Sequence, residues 1–105
     1  MTKEQILQSF YKIADAKDWH SYHSTKNLAS SISVEAAELL ALFMWDDTPK
    51  QISQKHKERI SEEISDIYIY LLVLADKLDI DFDKSIEDKV KKNTFRFLGK
   101  YEQDL

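Results

Sequence analysis

Four carboxylates in this chain stand at spacings that suit metal chemistry. Glu35 and Glu38 lie in "SVEAAELLALFMW" (33–45), and Glu63 and Asp66 lie in "SEEISDIYIYLLVLA" (61–75). Each pair is spaced i, i+3, which makes its two side chains neighbours on one helix face. Each pair also borders a dense apolar stripe, where an ionised group is costly unless it is paired or coordinated. Four carboxylates brought together would repel one another and their pKa values would rise. A divalent cation removes that conflict. All-oxygen ligation suits a hard ion, Mg²⁺ with Mn²⁺ as the alternative, and Mg²⁺ commonly arrives with substrate phosphates. A single ExxE on a helix usually marks a solvated face; two such pairs, each beside an apolar stripe, are much less common. Glu62 points more to the outer side and reads as a surface residue or a supporting ligand. Lys55, Lys57 and Arg59 offer the acids nearby a structural ion-pair role.

Other side chains could handle a ligand beside such an ion. Trp19, His23 and Trp45 fall near the ends of the expected helices, where aromatic rings can sandwich a base. Core packing is the ordinary explanation for any one of these rings. Tyr70 follows Asp66 by one helical turn, so its hydroxyl could reach what the metal holds; a buried tyrosine that simply finds a partner is the alternative. Lys89, Asn93 and Arg96 share a face at i, i+4, i+7. A cation and an amide there suit an anion carrying a sugar or base. Lys91 and Lys92 read as a solvated basic face.

The elements that must position these residues are helical. Ile6, Phe10 and Ile13 recur at helical spacing and predict a first helix over about 3–17. "DWHSYHSTKN" has no clear period and reads as a loop, with Ser24 or Thr25 capping a second helix that runs to about Trp45. Leu28, Ile32, Leu39 and Phe43 form its stripe. Thr48, Pro49 and Gln51 resemble a capping box with proline at the first helical position, which predicts a third helix from near Pro49 to about Leu78. The polar stretch 54–57 leaves room for an interruption. "IYIYLLV" has strand-favouring residues. It nevertheless continues the helical stripe Ile60, Ile64, Ile67, Leu71, Leu74, Leu78. Residues 67–75 are apolar almost all round, so this helix should be buried on most sides, and a partner subunit is expected to cover part of it. Asp81 then caps a fourth helix that ends near Leu98, with Gly99 as its stop.

The composition agrees with this all-α reading. The chain has 105 residues, which suits a single domain over 1–105, with 43% hydrophobic and 32% charged residues. One glycine and one proline argue against β-rich or Rossmann-type folds and exclude a Gly-rich phosphate cradle. A net charge of −4 disfavours wholesale nucleic-acid binding. No cysteine is present, which rules out disulfides, thiolate ligands and a thiol nucleophile. The N-terminal stretch has no signal-peptide core. The longest apolar run, 67–75, is well short of the roughly 20 residues that span a bilayer. A cytoplasmic protein without membrane partners is expected.

"VEAAELLALFMW", "SEEISDIYIYLLVLA" and "KVKKNTFRF" together resemble the MazG-like nucleoside triphosphate pyrophosphohydrolases of the all-α NTP pyrophosphatase group. "DWHSYHSTKNL", Trp45 and "EEISDIYIY" are similar to the dCTP pyrophosphatase branch. The resemblance runs from about Phe10 to Phe97. Its ExxE–spacer–ExxD signature falls on Glu35, Glu38, Glu63 and Asp66. It implies four to five helices in a bundle completed by subunit association, as a homodimer or a homotetramer built as a dimer of dimers. It implies Mg²⁺-dependent hydrolysis of a nucleoside triphosphate, such as dCTP or a modified deoxynucleotide, to monophosphate and pyrophosphate, in the service of nucleotide-pool house-cleaning. The four acids would be catalytic and metal-binding. Trp19 and Trp45 would flank the base, and His23, Tyr70, Lys89, Asn93 and Arg96 would contact sugar, base or phosphates.

The residues favour direct attack of water on the α-phosphorus, with Glu38 or Glu35 taking its proton and Lys89 countering phosphate charge. No Ser/His/Asp pattern suggests a covalent route. A di-iron carboxylate bundle would need Glu-x-x-His, and no histidine follows a glutamate by three here. The remaining alternative is a non-catalytic helical module for nucleotide sensing or protein interaction.

Overall fold

A computed structural model of the chain describes residues 1–44 and 52–100. Among them are four α-helices and no strand: α1 (Lys3–Lys17), α2 (Thr25–Ala41), α3 (Gln54–Lys77) and α4 (Phe82–Leu98), with a short 3₁₀ turn at His20–Tyr22. The all-α expectation holds.

The helix ends follow from local chemistry. Thr2 and Gln5 form a reciprocal capping box at the start of α1. The Ser24 hydroxyl accepts from the Asn27 N–H at 3.1 Å and starts α2. Ser53 does the same for α3, accepting from the His56 N–H at 3.1 Å, and Asp81 for α4, accepting from the Lys84 N–H at 3.1 Å. Such caps satisfy N–H groups that have no partner within the helix. Two helices end on aspartate in the left-handed region, Asp18 at φ 55° and Asp79 at φ 54°. In both, the next residue closes a six-residue loop back into the helix, Trp19 N–H to the Ala14 carbonyl and Ile80 N–H to the Ala75 carbonyl, each at 2.9 Å. This is the Schellman pattern, usually built on glycine. Gly99, at φ 72°, closes α4 more simply through its N–H to the Phe95 carbonyl.

Helix α2 stops at Ala41, earlier than the expected Trp45, which lies outside the described residues. So does the Thr48–Pro49–Gln51 signal. The described part of α3 begins at Gln54 behind its Ser53 cap, so the polar stretch 54–57 opens this helix instead of interrupting it.

The chain divides into two compact units, 1–74 and 75–105. In the first, Ala14 of α1, Leu28 of α2 and Leu72 and Val73 of α3 are buried. The inward positions of α3 therefore differ from the expected stripe, of which Ile64 is 54% exposed. A run that is apolar all round gives periodicity nothing with which to choose the inward face. Ile64 instead borders an apolar groove of about 560 Å³ between α1 and α3, lined also by Ile6, Phe10, Ile13, Tyr68 and Ile69. In the second unit α4 carries i, i+4 ion pairs, Lys84–Asp88 at 3.3 Å and Lys91–Glu87 at 3.1 Å. These mark a solvated face, as read for Lys91. No helix among the described residues is long and apolar enough to cross a membrane.

Candidate metal centre and the pocket beside it

Three of the four expected acids converge inside the first unit. Glu35 from α2 and Glu63 and Asp66 from α3 each bring a carboxylate oxygen within 4.8 Å of the others. Glu35 and Glu63 are half-buried and Asp66 is exposed. Glu38, one turn along α2, stands outside this trio but close enough for its charge to act on Glu35. Glu62 lines a different concavity with Lys57, Glu58 and Ser61, in keeping with its outward reading.

The electrostatics of the trio are strained. The Glu35 carboxyl is pushed up to about 7, first by its hydrogen bond with Glu63, then by burial, then by the negative charges of Glu38, Glu63 and Asp66. Oε2 of Glu35 and Oε2 of Glu63 are both buried with no hydrogen-bond partner. Buried acceptors without a donor are costly. Their number, oxygen chemistry and convergence fit a hard divalent cation, which would replace the proton that Glu35 otherwise retains.

Tyr70 sits one turn beyond Asp66. Burial, then the charges of Glu35 and Asp66, push its hydroxyl above the usual phenol value, which places it within the field of the trio. Phe10 of α1 holds it in place: its ring centroid is 6.2 Å from Tyr70, edge-on, and 4.9 Å from the His23 ring. From the sequence His23 and Tyr70 read as ligand contacts, and Phe10 only as part of the apolar stripe of α1.

Trp19, Lys89, Asn93 and Arg96 lie on other elements. Trp19 is 44% exposed beside the 3₁₀ turn, and the adjoining His20 pairs with Asp15 of α1. Lys89, Asn93 and Arg96 lie exposed on α4, in the second unit. The Arg96 guanidinium is 5.1 Å from the Phe97 ring centroid.

A pocket of about 370 Å³ opens beside Glu35, and sequence reasoning missed most of its lining. Tyr22 and Tyr70 contribute rings, and Asn27, Ser30, Ser31 and Val34 of α2 contribute the rest. The signal was present: Asn27, Ser31, Glu35 and Glu38 are spaced 4, 4 and 3, a polar stripe on one face of α2.

Among the described residues, then, helices α2 and α3 gather three carboxylates beside a pocket. The chain belongs to the MazG-like family, whose model matches residues 30–102. It is similar to dCTP pyrophosphatase 1 of Mus musculus, 32% identical over 100 residues, and to that of Homo sapiens, 30% identical over 100 residues. Each alignment covers 91% of this chain and 59% of the relative, so the chain spans a little over half the length of these curated relatives. Among solved structures it resembles a pyrophosphatase from Archaeoglobus fulgidus DSM 4304, with a TM-score of 0.80 and 36% identity, over 90% of each chain. The family expected from the acidic and aromatic motifs is thus the family found.

Proposed function

We propose that this protein is a Mg²⁺-dependent nucleoside triphosphate pyrophosphohydrolase, with residues 1–105 forming one catalytic domain. The observation that carries this reading is the convergence of Glu35, Glu63 and Asp66, with a buried, unpartnered oxygen on each of the two glutamates. Family membership and the names of the relatives support the reaction class.

Glu35, Glu63 and Asp66 would hold the ion. A bound Mg²⁺ neutralises phosphate charge and acidifies water. Glu38, exposed and outside the trio, would take a proton from the attacking water. Tyr70 offers a hydroxyl beside the trio to a phosphate or sugar oxygen. Water attacks the α-phosphorus, the bond to the bridging α,β oxygen breaks, and monophosphate and pyrophosphate leave. His23, Trp19, Trp45, Lys89, Asn93 and Arg96 remain the residues expected to contact base, sugar or phosphates. A deoxynucleotide such as dCTP or a modified relative is the expected substrate, given the names of the mammalian relatives. The protein would work in the cytoplasm as a homodimer or dimer of dimers. The α1–α3 groove, with Ile13 and Ile64 each more than half exposed, supports association.

Product analysis tests the reaction. The protein is incubated with Mg²⁺ and a panel of canonical and modified NTPs and dNTPs, and products are separated by ion exchange. Monophosphate with pyrophosphate is expected. Diphosphate with inorganic phosphate would overturn the bond assignment, and no turnover with Mg²⁺ or Mn²⁺ would favour a binding module.

A further inference from the structure

The pocket beside Glu35 shares a wall with the metal centre, and that wall is a single helix face. Along α2, Ser31 precedes Glu35 by one turn and Asn27 precedes Ser31 by another. At 1.5 Å of rise per residue, these side chains stand about 6 Å and about 12 Å up the axis from Glu35. Phosphate, pentose and base follow one another in that order in a nucleotide. We infer that the nucleoside half of a nucleotide lies along this face, Ser31 reading the pentose and Asn27 the hydrogen-bonding edge of the base. The inference rests on the proposed phosphohydrolase reading for the position of the phosphates.

The local hydrogen bonding supports these roles. Serines inside helices usually return their hydroxyls to the carbonyl four residues back. Ser30 does so to Lys26 at 3.0 Å, and Ser33 to Ala29 at 3.3 Å. Ser31, between them, makes no such bond among the described residues, and it is half-buried in the pocket lining. Its hydroxyl is free to donate to, and accept from, a sugar hydroxyl. Asn27 gives its backbone N–H to Ser24 and lines the pocket as an exposed residue. Its amide presents a donor and an acceptor side by side, the complement of a nucleobase edge. The volume, about 370 Å³, lies within the range of ligand pockets, about 300–1,000 Å³. Tyr22, 67% exposed, supplies an open ring at the mouth. Pockets built to hydrogen-bond a substrate group discriminate against analogues that lack it.

The test compares wild type, Ser31→Ala and Asn27→Ala on matched ribo- and deoxynucleoside triphosphates of each base. Turnover is read with Mg²⁺, and binding of α,β-imido analogues is read by calorimetry. Ser31→Ala is expected to change the ribo-to-deoxy ratio of kcat/KM by about 3- to 10-fold, the worth of one neutral hydrogen bond, and to leave the order of bases intact. Asn27→Ala is expected to compress the spread among bases, and Asn27→Asp, which exchanges the donor for an acceptor, to reorder it. If both alanine variants scale every substrate by one common factor, or alter none, while wild type hydrolyses nucleotides, the nucleoside lies elsewhere and the phosphohydrolase reading stands. If wild type binds the analogues without hydrolysing any triphosphate, the reaction assignment fails and the same ratios, read from binding, decide the roles of Ser31 and Asn27. If wild type binds no nucleotide, both fail.

Discussion

The Glu35 carboxyl is pushed up to about 7 because Glu63 hydrogen-bonds to it, burial penalises its charge, and Glu38, Glu63 and Asp66 oppose its ionisation. In the unfolded chain the same group titrates near its usual value of 4.5. Between about 4.5 and about 7 the folded chain therefore keeps a proton that the unfolded chain has lost, and stability falls as pH rises through that window. Thermal melts in chelator should show this decline, and Glu35→Gln should flatten it. Millimolar Mg²⁺ should raise the melting temperature most above pH 7, where no proton competes for the site. A second expectation separates the acids. Asp66→Asn removes a member of the trio and should weaken both Mg²⁺ binding and turnover. Glu38→Gln, outside the trio, should depress kcat by roughly 10²- to 10⁴-fold if it is the general base, with a smaller change in Mg²⁺ affinity and unchanged helix content. The trio was legible in the sequence because i, i+3 acids beside apolar stripes conflict with ordinary burial. Asn27 and Ser31, which line the neighbouring pocket, were not, because an amide and a hydroxyl on a helix read as surface.

The elements that carry these side chains depend on their ends. Glu63 and Asp66 sit in the middle of α3, whose described start is secured by the Ser53 hydroxyl. Ser53→Ala should cost about 1 kcal/mol of stability in urea unfolding, the usual worth of an N-cap. Asp18 holds φ 55° at the end of α1, so Asp18→Val should cost roughly 1–2 kcal/mol through left-handed strain, and Asp18→Asn little. The boundaries of α1 and α4 were readable because periodicity, the Asp81 cap and the Gly99 stop agree with one another. The described α3 begins at Gln54 behind the Ser53 cap, a start that is hard to pick out in the sequence because Thr48–Pro49–Gln51 has the chemistry of a helix start close by. The inward face of α3 could not be read at all. With Ile67 to Ala75 apolar on every side, only packing selects Leu72 and Val73.

For the whole molecule, the open α1–α3 groove connects stability to concentration. Ile13 is 56% exposed and Ile64 54% exposed along it, and an apolar surface of this kind commonly marks an interface. If subunits meet there, the melting temperature should rise with protein concentration. Ile13→Glu should then shift sedimentation toward the monomer and abolish that dependence; a wild type that stays monomeric at all concentrations would rule the interface out. The raised Glu35 carboxyl has a further consequence at this scale. A cation bound by the trio at or below neutral pH would displace the proton that Glu35 carries there. The heat of Mg²⁺ binding should therefore vary with the ionisation enthalpy of the buffer, with a slope that counts the protons expelled, and that slope should fade as the pH climbs well past 7. Weakly buffered solutions would acidify as the protein fills, and a cell's acidity and its free magnesium would act on this centre as opposing ligands.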